Sequence, residues 1–195
     1  MLNWGLIIES SVPKKIREDL EELQLYHGSQ ADFDNFDLAY LSTGWGQQAY
    51  GYGFYLTTSK EAASEYAKGG KMYTVEIPDG KYLSYEKRNS REFLNIARKF
   101  FKYYTTEDEY GKDAYRGNEN EFWESECKYI ADCQNGGYVY GTLSSIIGDD
   151  KATSEFLNRL GYVGIEWKGN NAATNETFFN YVIFNPNDIK IISKE

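Results

Sequence analysis

Three short strings combine residue types that can do chemistry: Tyr26-His27-Gly28-Ser29, the glycine-flanked Gly51-Tyr52-Gly53-Phe54-Tyr55-Leu56-Thr57, and Asn180-Tyr181-Val182-Ile183-Phe184. The imidazole of His27 can donate or accept a hydrogen bond, the glycines allow a close backbone approach, and the Asn180 amide can do both kinds of bonding. Taken singly, each string has an ordinary structural explanation as a satisfied histidine, a turn and a well-formed strand. Metal chemistry is not expected. Cys127 and Cys133 sit about 240° apart around a helix axis, and with His27 as the single histidine the ligands of a usual zinc site cannot be assembled. A disulfide framework would need more cysteines. No Gly-x-Gly-x-x-Gly opens a helix after a strand, so the Rossmann mode of dinucleotide binding is not supported.

The elements that must position these strings follow from periodicity and caps. Ile16, Leu20 and Leu23 mark an amphipathic helix over about 13–24, leading into a strand that ends at Gly28 and Ser29. A polar, glycine-bearing loop over about 30–52 precedes a strand from Gly53 to Thr57. Ser59 caps a short helix Lys60 to Lys68, which Gly69 and Gly70 stop before the strand Met72 to Ile77. Phe93, Leu94, Ala97, Phe100, Phe101 and Tyr104 form one helical face with Ser90 as its cap, and residues 105–120 read as a polar surface loop. Helices are expected from Glu121 to Cys133 and from Thr153 to Leu160, and strands at Tyr162 to Trp167, Asn180 to Phe184 and Ile189 to Ile192. Strands at both ends with helices between them argue for an α+β fold in one domain, 1–195, with a helical insertion over about 88–150.

Composition limits the partners. Thirty acidic residues against 21 Lys and Arg give a net charge of −9, which disfavours phosphate backbones and anionic membranes. Nucleic acid remains only as an acceptor. The start of the chain lacks a basic n-region, and no run of 18 apolar residues follows, so neither a signal peptide nor a membrane span is expected. Two cysteines fit a reducing, cytoplasmic setting. Eighteen tyrosines and 18 glycines suit a twisted, half-buried sheet with tight turns.

Read in order, the three strings resemble the ADP-ribosyltransferases of the His-Tyr-Glu type, which include diphtheria toxin and the poly(ADP-ribose) polymerases. Gly-Trp-Gly-Gln-Gln-Ala-Tyr-Gly before Tyr55, Ser-Glu-Tyr-Ala around Tyr66, Phe156 to Ile165 and the closing Asn-Tyr-Val-Ile-Phe are similar to the ADP-ribosyltransferase domains of phage and mobile-element polyvalent proteins. The resemblance covers about Leu25 to Ile77 and Thr153 to Ile192, with the helical middle unmatched.

This resemblance implies a split, mainly antiparallel sheet with surrounding helices, and NAD as co-substrate without a metal. It assigns His27, Tyr55 and Asn180 to catalysis, and His27, Gly28, Ser29, Gln48, Tyr55 and Tyr66 to NAD binding. Gly28 would bond the nicotinamide carboxamide with help from the Ser29 hydroxyl, Tyr55 and Tyr66 would sandwich the ring, and His27 would hold the adenosine ribose. The loop between His27 and Tyr55 would cover the dinucleotide. Asn180 stands where the His-Tyr-Glu type has Glu; the similar polyvalent-type members also have Asn there, and three readings are open: an acidic acceptor supplies the charge, Glu176 reaches in, or NAD is bound and hardly turned over. The expected activity is mono-ADP-ribosylation of a macromolecular acceptor, a protein first and nucleic acid second, by a toxin-like effector acting in the cytoplasm or delivered into a host cell. The alternatives are an NAD glycohydrolase, a weak NAD-binding relative, and an aromatic-rich interaction module.

Overall fold

Residues 24–41 and 48–195 are described by the computed structural model. The helix expected from Pro13, and residues 44–47 of the glycine-rich run, lie outside them. Seven strands, β1 (Leu25–Ser29), β2 (Phe54–Thr57), β3 (Lys71–Glu76), β4 (Lys81–Ser84), β5 (Tyr162–Asn170), β6 (Thr177–Ile183) and β7 (Lys190–Lys194), form one sheet in the order β4-β5-β6-β2-β1-β3-β7. Every neighbouring pair is antiparallel except β4 with β5. Among the described residues six helices accompany the sheet: α1 (Lys60–Ala67), α2 (Ser90–Thr106), α3 (Glu109–Ala114), α4, α5 (Gly136–Ile147) and α6 (Asp150–Arg159). Helix α4 runs through Glu119–Phe122, a π-helical turn at Trp123–Cys127 and Lys128–Asp132. The architecture is the expected α+β one.

Alternation along the central strands builds a core on each side of the sheet. Phe54 and Leu56 of β2 join Leu25, Tyr73, Val75, Tyr181 and Ile183 on one face, closed by Phe36 from the loop after β1. On the other, Val182 and Ile165 pack with Phe93, Phe100, Leu143, Phe156 and Leu157 from α2, α5 and α6, and Tyr55 and Trp167 lie at the margin of that core. The two halves of the sheet meet weakly. β1 faces β3 over five residue pairs but shares with β2 only Tyr26↔Thr57.

Several local expectations hold and several need correction. Ser59 caps α1, its Oγ accepting from Ala62 N–H at 3.2 Å, and left-handed Lys68 (φ 45°) ends it before Gly69. The cap of α2 is Asn89, one residue before the expected Ser90. Residues 105–120 are not one loop. Asp108 caps α3, and Gly111 sits so close to Tyr104 that a Cβ there would come 2.3 Å from the Tyr104 carbonyl oxygen. Polar residues surround that single contact, which hides the helix from hydrophobic periodicity. Helix α5 was not expected, because its first turn is Gly136-Gly137. Asn135 caps it, and the two glycines fit against the Ser84 backbone and the Tyr85 ring, where side chains would collide. Strand β4 was also missed; it is four residues long and follows a Pro78-Asp79-Gly80 turn. Helix α6 starts at Asp150, with Asp149 as its cap, rather than at Thr153.

Candidate active site at the sheet split

Beyond Tyr26↔Thr57 the β1–β2 ladder does not continue, although its register would place Gly28 opposite Tyr55. Met72 exchanges both backbone bonds with Glu195 outside β3, so its neighbour Tyr73 turns its amide toward His27. By the same alternation Gly28 turns its N–H and C=O the other way, toward the edge that β2 has left. Tyr55 would otherwise lose its partner, but His27 Nδ1 donates to the Tyr55 carbonyl at 2.9 Å. The imidazole thus completes β2 and leaves the Gly28 amide open.

His27 packs against Phe33, Phe36 and Tyr73, with ring centroids 6.1, 5.1 and 6.1 Å away. Burial there lowers its pKa, against the opposing effect of the bond to Tyr55, and keeps the ring neutral. With the proton on Nδ1, Nε2 offers a lone pair. Gly28 is constrained a second time: a Cβ would meet the Ala63 carbonyl oxygen at 1.8 Å, so α1 can lie on β1 only because no side chain intervenes. Replacing Gly28 by Val is therefore not a clean probe of binding, since it displaces α1.

Cross-strand register assigns the other residues to faces. Gly28, Tyr55 and Asn180 share one face, with Trp167 directly opposite Asn180 on β5. The side chains of His27 and Ser29 alternate to the other face. Ser29 Oγ accepts from Ala31 N–H at 3.1 Å, which leaves its hydroxyl proton free to donate. Tyr55 is fixed: its hydroxyl accepts from Tyr50 N–H at 3.0 Å, donates to the Gly51 carbonyl at 3.1 Å, and burial holds its pKa well above the ordinary phenol value. Trp167 meets it edge-on at 5.9 Å and stacks on Tyr50 at 4.3 Å. Tyr66 lies on the flank of α1, 58% exposed, without a ring contact to Tyr55. Gln48 lines a pocket of about 150 Å³ with Tyr50, Gly51, Tyr85, Tyr140 and Asp150; His27, Gly28, Tyr66 and Asn180 are not part of its wall.

Asn180 leans over Gly169, where a Cβ would come 2.9 Å from its Nδ2. Glu176 does not stand in for a carboxylate here. It sits in the β5–β6 hairpin, accepts from Thr174 Oγ1 at 3.2 Å, is exposed, and lies four residues, about 13 Å of strand, from Asn180. The wall residues missed from sequence are Trp167 and Tyr140. Nothing local marks them, because sheet register places Trp167 and the docking of α5 places Tyr140.

Among the described residues no group of three or more His, Cys, Asp or Glu could hold a metal ion, and no helix is long and apolar enough to cross a membrane. Cys127 and Cys133 are both free and buried. Neither the curated proteins nor the solved structures include a match to the chain. A family model described as ADP-ribosyltransferase in polyvalent proteins matches residues 20–195. The helical middle unmatched by the sequence resemblance is thus inside the family's extent, and the chain belongs to the ADP-ribosyltransferase family of polyvalent proteins.

Proposed function

We propose that this ADP-ribosyltransferase moves a single ADP-ribose from NAD to a macromolecular acceptor, a protein side chain first, with release of nicotinamide. The observation that carries the reading is the open ladder position at Gly28 opposite Tyr55. A primary carboxamide has one carbonyl and an N–H pair in one plane, which complements a strand's outward N–H and C=O. Tyr55 supplies a rigid aromatic wall beside that position, and Tyr66 can close the other side at small cost because its ring is exposed. His27 Nε2 suits a ribose hydroxyl, a holding task without proton transfer. The proposed setting is the cytoplasm, as a toxin-like effector of a phage or mobile element, where two buried free thiols would remain reduced.

Breaking the bond to nicotinamide places positive charge on the ribose, and Asn180 can bond a hydroxyl there but brings no charge. The rate is therefore expected about 10²- to 10³-fold below that of a carboxylate at this position. An acidic acceptor side chain would restore the charge for one transfer and make chain elongation unfavourable. Asn180 also supports a second reading, slow hydrolysis of NAD, in which free ADP-ribose accumulates with no acceptor present. The deciding experiment incubates the protein with NAD and a cell lysate, follows nicotinamide release, and identifies adducts by mass spectrometry. Asn180→Glu should release nicotinamide at least ten-fold faster. No release by either protein at millimolar NAD overturns the proposal.

A further inference from the structure

Three backbone groups around the Tyr50–Gly53 turn end on two tyrosine hydroxyls from opposite sides. Tyr55 Oη takes Tyr50 N–H and gives its proton to Gly51 C=O, while Tyr52 N–H donates to Tyr140 Oη at 2.9 Å. Tyr140, on α5, also reaches the Asp150 carbonyl at 2.9 Å and Ser154 Oγ at 2.9 Å, and Ser154 Oγ donates to Tyr52 C=O at 2.8 Å. Its ring fills the space over Gly51, whose φ of 132° disfavours a side chain and where a Cβ would come 3.1 Å from Tyr140 Cζ. Tyr140 is 4% exposed, and burial pushes its phenol up to about 12, so it remains a neutral donor and acceptor. A packing role would be met by Phe; the hydroxyl adds the bonds to the turn, to the Asp150 carbonyl and to Ser154.

We infer that Tyr140 is a positioning residue for the nicotinamide wall: with Ser154 it clamps the Tyr50–Gly53 turn, and through that turn it sets the position of Tyr55. The helices between β4 and β5 thereby act on the site although neither Tyr140 nor Ser154 touches the open edge of Gly28. The inference rests on the NAD reading above for its functional consequence, and on the hydrogen bonds alone for the mechanical one.

Tyr140→Phe tests both parts. Amide hydrogen exchange, which needs no NAD, should quicken about three- to ten-fold at Tyr52, the range given by one neutral hydrogen bond, and also at Tyr50, whose N–H bonds the Tyr55 hydroxyl and not Tyr140. The KM for NAD should rise by a similar factor while kcat changes less than about two-fold. Ser154→Ala should give the same pattern, weaker. Phe100→Leu, a core change packed on Tyr104, Phe122 and Phe156, should lower the melting temperature without moving KM. Unchanged exchange at Tyr50 in Tyr140→Phe overturns the clamp whatever NAD does. Quickened exchange with unchanged KM overturns its role in the site, and failure of the wild type to bind NAD overturns the reading beneath it.

Discussion

Tyr66→Ala separates a ring kept for a ligand from one kept for the fold. The side chain is 58% exposed on α1, whose contacts with β1 are made by Ala63 and Ala67, and no hydrogen bond or ring contact among the described residues holds it. Removing it should change stability by no more than about 0.5 kcal/mol, and Ala's better helix propensity offsets part of that. If the ring closes over nicotinamide, its loss forfeits an aromatic stack worth about 1–3 kcal/mol, which weakens NAD binding about 5- to 150-fold. Tyr66→Phe keeps the stack and should bind within about two-fold of wild type. Titration calorimetry with NAD and a thermal melt of each variant measure the two quantities independently. Tyr55 cannot serve here, because its hydroxyl also ties Tyr50 and Gly51. Binding by Tyr66→Ala indistinguishable from wild type, with wild type binding NAD, would refute the sandwich and leave Tyr66 a surface residue.

Two further outcomes follow from the same geometry. The folded state lowers the pKa of His27 below its ordinary value of 6.5, so the unfolded chain binds more protons between the two values and stability falls as pH drops below about 6.5. The slope cannot exceed about 1.4 kcal/mol per pH unit for one group, and His27→Asn, which keeps a short side-chain donor for the Tyr55 carbonyl, should flatten melting temperature against pH over that window. Gly28→Ala should destabilise by about 1–3 kcal/mol through displacement of α1, seen as a lower denaturation midpoint with or without NAD; a midpoint equal to wild type would mean that α1 does not rest on Gly28.

Much of the sheet was legible because its signals are local. The alternation of Phe54, Tyr55, Leu56 and Thr57, the Ser59 cap and the closing Asn-Tyr-Val-Ile-Phe strand are each written within a few residues. Elements chosen by distant partners were not legible. Helix α5 begins with two glycines that argue against a helix, and only Ser84 and Tyr85, far away in the chain, explain them. Helix α3 depends on the fit of Gly111 beneath Tyr104.

The site divides in the same way. Residue identity determined which groups are available: one imidazole, a glycine beside it, two phenol rings, and an amide at Asn180. Tertiary structure decided how they are used. It parted β1 from β2 after a single pair, turned the His27 ring to the opposite face from Tyr55 and gave it the Tyr55 carbonyl, and brought Trp167 and Tyr140 to brace the wall. The physical reason is that a backbone amide becomes available for a ligand only where a neighbouring strand fails to claim it, and strand register across the whole sheet makes that choice.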